Sequence, residues 1–217
     1  MLSYEGIAHN FRFLIVQVVK QLENTAALLD QPARRLIKAI EDSEDYVDTQ
    51  KSMIENECFE LLARERLDNQ HQIDAVRALN TITSNLERIS DLAVNVARHV
   101  QQLGDRGVLR RFDCRAYITA LKSSLNLVAE ALFTRNSALA LRICHAESEV
   151  DQRYRADLQA ILASLRATRD VDDLVTAMFI LHYLERMGDA LLNIGEAVIF
   201  AVLGERLKIH QYRALDE

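Results

Sequence analysis

The sequence has very little of what sheet-rich folds require. Its 217 residues include one proline (Pro32), six glycines and no tryptophan. Sandwiches, barrels and doubly wound sheets need many tight turns, where glycine and proline are among the commonest residues. Their scarcity therefore excludes most sheet architectures and indicates long helices joined by few connectors.

Long hydrophobic runs, cysteine pairs and a basic charge balance are also missing. No apolar run approaches the ~18 residues of a membrane-spanning helix, and the N-terminus does not resemble a secretory signal. The three cysteines, Cys58, Cys114 and Cys144, show no CxxC spacing. We therefore expect reduced thiols in a cytoplasmic protein. The net charge of −6 disfavours nucleic acid as a partner, because duplex binders usually carry a basic face.

Apolar residues recur at three- and four-residue steps through nearly the whole chain, as is typical of amphipathic helices. The pattern predicts helices over residues 7–29, 36–62, 72–103, 112–133, 136–165 and 171–207. Pro32 is predicted to lie in the first turn of the second helix, and Asn136 and Asp170 to cap the fifth and sixth.

The clearest interruption of the helical pattern is Gly104-Asp105-Arg106-Gly107. We place the boundary between two halves there. The sequence then predicts an all-α protein of two tandem antiparallel three-helix bundles, over residues 1–105 and 106–217.

The two halves share an internal repeat. LERISDLAVNV, starting at Leu86, matches LERMGDALLNI, which starts at Leu184, 98 residues later. The middle helices match as well, since Glu44-Asp45-Tyr46-Val47-Asp48 corresponds to Glu147-Ser148-Glu149-Val150-Asp151. We infer that a three-helix unit was duplicated.

Each repeated segment carries two acidic residues four positions apart, which places them on one face of a helix. The pairs are Glu44/Asp48, Glu87/Asp91, Glu147/Asp151 and Glu185/Asp189. Like charges at this spacing cost an isolated helix ~0.2–0.5 kcal/mol per pair. If the middle and last helices of each unit are neighbours, four carboxylates converge on one patch, and such oxygen ligands suit Mg, Ca, Mn or iron.

A solvated acidic face is the alternative interpretation of these pairs. Arg88 and Arg186 each precede an acidic residue by three positions and are placed to form local ion pairs. Asn95 and Asn193 continue the two acidic faces, and we expect them to bond across helices rather than to bind metal. The residues leave both interpretations open.

LERISDLAVNVA and LERMGDALLNIGEAV resemble the two signature helices of the PhoU family, and the resemblance covers residues 28–203. It implies two related three-helix bundles in a cytoplasmic, non-enzymatic negative regulator of phosphate uptake. The implied partners are the phosphate-specific ABC transporter and the histidine kinase that senses phosphate starvation. Related domains accompany sodium–phosphate cotransporters, which are the alternative partner.

The resemblance also implies clusters of metal ions, chiefly iron, at the acidic pairs. Carried over residue by residue, the first site comprises Glu44, Asp48, Glu87 and Asp91, and the second Glu147, Asp151, Glu185 and Asp189. The chain departs from the family pattern at Ser90, where glycine is usual, and at Leu92 and Ala190, where His or Tyr is common. The opening residues 1–20 also differ from the usual charged start.

Catalytic motifs are absent from the sequence. It contains no P-loop, no GxSxG and no Glu-x-x-His of the di-iron bundle type. Single histidines on a bundle, such as His99 or His145, are the remaining candidates for phosphotransfer, whereas His182 is expected in or near the core. A metal-binding bundle of other function, redox or hydrolytic, is the more distant alternative to a regulator.

Two surface features bear on partners. Basic residues cluster at Arg34-Arg35-Lys38, at Arg64/Arg66 and at Arg110-Arg111/Arg115. They form either solvated faces or contacts with acidic lipid and a transporter, that is, a peripheral membrane contact. On the first helix, Phe11, Phe13, Val16 and Val19 are expected to pack within the bundle or in a homodimer.

Overall fold

The protein is all-α. A computed structural model describes residues 3–64, 67, 69–167 and 171–204, and within these ranges the chain forms six α-helices and no strand. The helices are α1 (Tyr4–Asp30), α2 (Arg34–Ala63), α3 (Gln70–Gln102), α4 (Cys114–Phe133), α5 (Ser137–Ala167) and α6 (Asp172–Leu203). The predicted fold class is confirmed.

Side-chain caps begin several of the helices. The side-chain oxygens of Ser3, Asn69, Asp113 and Asn136 each accept a hydrogen bond from a backbone N–H of the first turn, at 3.1 to 3.2 Å. Such caps satisfy N–H groups that have no partner within the helix. The prediction for Asn136 is confirmed, while Asp170 lies outside the described residues.

Two details of the connectors differ from the sequence prediction. Pro32 does not lie in the first turn of α2, which begins at Arg34 after an Ala33 whose side chain makes no capping bond. Proline's fixed φ suits the extended link before a helix as well as its first turn. The second difference is a 3₁₀ helix, Arg106–Arg111, where the sequence predicted only an interruption.

The sixth helix ends at Leu203 within the described residues. Gly204 follows with a φ of 77°, the left-handed conformation in which glycine commonly ends a helix. The predicted extension to residue 207 lies outside the described residues.

Helix neighbours follow the expected plan, since α2 packs on α3 and α5 packs on α6. The most extensive helix contact joins α3 to α6, the two helices that carry the repeat. Leu86, Ile89, Leu184 and Met187 are fully buried, and the apolar core is continuous across both halves. The proposed division at residue 105 stays a prediction.

Two glycines set the spacing of α5 and α6. A Cβ at Gly188 would lie 2.8 Å from Cγ1 of Val150, and a Cβ at Gly195 would overlap Sγ of Cys144. Because neither position has a side chain, the two helices approach closely over two turns. This approach positions the acidic residues of α5 against those of α6.

The cysteines and the hydropathy agree with the sequence prediction. No disulfide joins Cys58, Cys114 and Cys144, and all three are buried. Burial raises the pKa of Cys58 and of Cys114 to about 12. No helix among the described residues is long and apolar enough to cross a membrane.

Candidate functional site

The first acidic cluster lies where α2 and α3 face each other. Glu44 on α2 lies close enough to Asp91 on α3 for the two carboxylates to interact. Partial burial, and then the negative charge of Asp91, raise the pKa of Glu44 above its ordinary value. The structure thus brings Glu44 and Asp91 together, as the spacing predicts.

Glu87 on α3 also interacts electrostatically with an acidic residue of α2. Burial raises the pKa of Glu87, and the charges of Asp91 and Asp48 raise it further, while Lys51 lowers it. Glu87 therefore lies within electrostatic range of Asp48 across the helix pair. All four acidic residues predicted for this cluster are on one side of the α2–α3 pair. Their negative charges repel one another, and protonation or a bound cation relieves that repulsion.

The second acidic cluster, between α5 and α6, is more buried. Glu147 has only 6% of its surface exposed. Burial, followed by the charges of Asp189, Asp151 and Glu147, raises the pKa of Glu185 from near 4.5 to about 7, against the opposing effect of Arg186. The predicted second set is therefore also brought together.

One oxygen of Glu185 is left without a hydrogen bond. Within the described part of the chain, its buried Oε2 has no hydrogen-bond partner, although Nδ1 of His182 lies 3.3 Å away. A buried carboxylate oxygen without a partner lowers the stability of the folded state. In native proteins such an oxygen usually binds a proton, an ion or a water molecule. The orphaned oxygen is the observation that most favours a cation at this cluster.

Local ion pairs distinguish the two clusters. Arg186 donates to Asp189 at 2.6 Å, and Nη2 of Arg155 lies 2.9 Å from Asp151. The pairing expected of Arg186 is confirmed. The counterpart at Arg88 is not found, and no ion pair among the described residues involves the four acidic residues of the first cluster.

The donor set of both clusters fits a hard cation, because it consists of carboxylate oxygens, three of which belong to residues with raised pKa values, Glu44, Glu87 and Glu185. The side chains are not gathered into a finished cage, however. In the ranges that the structure describes, no group of three or more His, Cys, Asp or Glu residues is close enough to hold an ion. Binding a metal would therefore draw the carboxylates of neighbouring helices together.

The histidines and asparagines near the clusters have defined neighbours. Asn193 donates to Asn85 at 3.2 Å from α6 to α3, which confirms a bond across helices, while the carbonyl of Asn95 lies 3.0 Å from Nδ1 of His99. The ring of His99 packs on Tyr183 at 5.1 Å between centroids.

His182 lies near the core rather than in it, in keeping with the sequence prediction. Its side chain is 46% exposed, on the flank of α6 one turn before Glu185. Its ring centroid lies 6.1 Å from that of Tyr154 on α5. Neither His182 nor Tyr154 was predicted to neighbour Glu185, although the three-residue spacing from His182 to Glu185 was an available signal.

Comparison with known proteins shows which family the chain belongs to. The PhoU domain matches residues 13–100 and 118–198 of the chain. A PhoU homolog of Clostridium acetobutylicum, named a phosphate-specific transport system accessory protein, is 24% identical over 196 residues, covering 88% of each chain. The protein of the same name from Pseudomonas putida is 27% identical over 194 residues, covering 86% of this chain and 74% of its own.

Solved structures show the same fold. The crystal structure of PhoU from Pseudomonas aeruginosa matches with a TM-score of 0.82 at 23% identity, over 93% of this chain and 97% of that one. The phosphate transport system regulatory protein PhoU from Streptococcus pneumoniae matches with a TM-score of 0.84 at 21% identity, over 94% and 97%. Since the PhoU domain accounts for most of the chain, in two copies, the protein belongs to the PhoU family.

Proposed function

We propose that the protein is a non-enzymatic, cytoplasmic regulator of phosphate transport and of phosphate-responsive signalling. The observation that carries the proposal is the pair of PhoU domain matches, since the relatives that share them are named accessory proteins of phosphate-specific transport. Its partners are a phosphate transporter and a phosphate-sensing histidine kinase. The sequence, which lacks a nucleophile paired with a base, supports action by binding.

Cations at the two acidic clusters are part of this proposal. Glu44, Asp48, Glu87 and Asp91 would hold one site, and the second would use the residues Glu147, Asp151, Glu185 and Asp189. A bound iron, manganese, magnesium or calcium ion supplies positive charge that neutralises the carboxylates. The carboxylates themselves lie on α2 and α3, or on α5 and α6, so that neutralising them stabilises each helix pair.

The metal proposal is tested by thermal unfolding with chelator and with added Mn²⁺ or Fe²⁺. We expect metal to raise the melting temperature by several degrees, because ligand that binds only the folded state stabilises it. Asp91→Asn combined with Asp189→Asn, one change in each cluster, should abolish the rise. Glu41→Gln with Glu130→Gln makes the same charge change at exposed positions and should leave it intact. An unchanged melting temperature in all metals would reject the metal sites and leave the fold untouched.

The exposed basic residues form the surface that we propose for a peripheral membrane contact. Arg34, Arg35, Lys38, Arg110 and Arg111 are exposed, whereas Arg66 lies outside the described residues. Exposed basic side chains attract the anionic headgroups that surround a transporter.

Partner identity is tested with the purified chain and the candidate proteins from the same organism. We expect a complex on size exclusion with the ATP-hydrolysing subunit of the phosphate-specific transporter or with the cytoplasmic part of the histidine kinase. A complex with the cytoplasmic region of a sodium–phosphate cotransporter alone would assign the chain to that system instead. Absence of any complex would contradict a role through protein contact.

A further inference from the structure

His182 lies beside the second acidic cluster. It precedes Glu185 by three residues on α6, a spacing that puts two side chains on the same side of a helix. Its Nδ1 lies 3.3 Å from Oε2 of Glu185, and that buried oxygen has no hydrogen-bond partner among the described residues. A ring nitrogen and a carboxylate oxygen, both able to bind a metal ion, are therefore adjacent without being hydrogen-bonded to each other.

The separation of these two atoms suits two ligands of one metal ion. Nitrogen and oxygen ligands lie ~2.0–2.2 Å from an ion such as Zn²⁺, so that neighbouring ligand atoms are ~3.0–3.5 Å apart. A hydrogen bond from the ring would have satisfied Oε2 of Glu185, but the geometry does not provide one. The two atoms together form the start of a mixed nitrogen–oxygen site.

Two tyrosines hold the ring of His182 in this position. Its centroid lies 6.1 Å from the ring of Tyr154 on α5 and 6.1 Å from the ring of Tyr183 on α6, within the usual range of aromatic contacts. The side chain is nevertheless half-exposed, so an ion can reach it from solvent. A ring that is already oriented loses less conformational freedom when it binds.

The internal repeat shows that the first acidic cluster has no such nitrogen at the equivalent position. The residue 98 positions before His182 is Ser84, whose hydroxyl donates a hydrogen bond to a carboxylate of α2 at 3.2 Å. In the matching middle helices, Tyr154 corresponds to Lys51, whose charge opposes the rise that burial causes in the pKa of Glu87. A protonated lysine has no lone pair for a metal. The first cluster therefore offers oxygen ligands, and the second offers oxygen and nitrogen.

We propose that His182 is a nitrogen ligand of the second cluster, and that it makes this cluster prefer divalent transition-metal ions to Mg²⁺ and Ca²⁺. Imidazole suits zinc, copper, iron and nickel, whereas Mg²⁺ and Ca²⁺ take oxygen ligands. The inference rests on the cations proposed for the acidic clusters, and it adds a ligand to the four carboxylates of the second one. Asp151 and Asp189 are paired with arginines, so Glu185 and His182 are the ligands already in position.

The test is calorimetric titration of the chelator-treated full chain with Co²⁺ and with Mg²⁺. Asp91→Asn disables the first cluster, so that binding in this background reports on the second. Adding His182→Gln should weaken Co²⁺ binding about tenfold or more and leave any Mg²⁺ binding unchanged. In the Asp189→Asn background, where the first cluster remains, His182→Gln should change the affinity for neither ion.

The matched control is His145→Gln. It removes an exposed imidazole from a groove lined by α4 and α5, and it should leave Co²⁺ binding unchanged. Pulsed EPR of Mn²⁺-loaded protein identifies the ligand atom. Wild type and His145→Gln should show coupling to an imidazole nitrogen, and His182→Gln should not. The metal-free melting temperature of His182→Gln should equal that of wild type, because the side chain is half-exposed.

The outcomes separate this ligand from the proposed metal sites. Equal Co²⁺ affinity with and without His182, or imidazole coupling that survives His182→Gln, overturns the inference and leaves the acidic sites intact. An equal loss of Co²⁺ and Mg²⁺ affinity also overturns it, because His182 would then support the shape of the site without binding the ion. Failure of both clusters to bind any ion rejects the sites and His182 as a ligand with them.

Discussion

At the residue scale, the acidic pairs show what the sequence could and could not predict. The spacing of Glu87/Asp91 and Glu185/Asp189 placed each pair on one helix face, and the repeat marked the pairs as equivalent. Their surroundings are not equivalent, because burial and the approach of α5 raise the pKa of Glu185 to about 7, a shift that depends on contacts from another helix. Residue spacing within one helix carries no information on those contacts.

Glu185→Gln should change the pH dependence of stability in chelator-treated protein. The folded state holds the Glu185 proton more tightly than the unfolded state does, so wild-type stability falls as the pH rises from about 4.5 to about 7. The variant lacks this loss and should be more stable than wild type at pH 8, by about 1 kcal/mol after allowance for solvent screening. Urea unfolding between pH 4 and pH 8 measures the difference.

The control for this titration is Glu149→Gln, an exposed position on the same helix as Glu147. It should follow the wild-type profile at every pH. Parallel profiles for wild type and Glu185→Gln would show that Glu185 does not titrate abnormally.

At the element scale, the helices were predictable because their apolar periodicity is long and regular. The cap at Asn136 also followed from residue type and position. The 3₁₀ helix Arg106–Arg111 was not predictable from local sequence. It depends on the packing of Val108 and Leu109 against the core, which involves residues distant in sequence. The contact of His182 with Glu185 was not predicted either, since apolar neighbours in sequence do not fix which side of a helix is covered.

Gly195→Ala should destabilise the protein by about 1–3 kcal/mol, the usual cost of overpacking. The added methyl group would overlap Sγ of Cys144 and lie 3.2 Å from the backbone nitrogen of that residue. Thermal and urea unfolding measure the loss.

Cys144→Ala in the Gly195→Ala background supplies the control. Removal of the sulfur makes room for the methyl group, so the double variant should recover part of the loss, and the two changes should be non-additive. Strict additivity would show that the close approach of α5 and α6 at Gly195 does not limit stability.

At the scale of the whole molecule, the sequence predicted the all-α class and the neighbours within each half. It did not predict that α3 and α6 form the most extensive contact. A repeat reveals that two units are alike, but the way in which two units face each other depends on surfaces that both must bury. Here the fully buried residues of the repeat, such as Ile89 and Met187, are the ones that form the centre of the molecule.

Asp173→Ala should lower the free energy of unfolding by about 1–2 kcal/mol. The carboxylate of Asp173, in the first turn of α6, accepts hydrogen bonds from the backbone N–H groups of Gly104 and Asp105 at 2.8 and 2.6 Å. These charge-assisted bonds fasten the connector between the halves to the last helix. Urea unfolding measures the loss.

Asp172→Ala is the matched control, since it removes the same charge from the same helix turn. The side chain of Asp172 makes no hydrogen bond to the described residues, so its removal should change stability much less. Equal losses for the two variants would assign the effect to the helix dipole rather than to the connector.

The proposed regulation of phosphate transport is tested most directly by the uptake of radiolabelled phosphate in a deletion strain grown in excess phosphate. If the protein restrains uptake, as the family resemblance implies, deletion should raise uptake and the wild-type gene should restore the low rate. Uptake equal to that of the parent strain, with and without the gene, would contradict the proposed role.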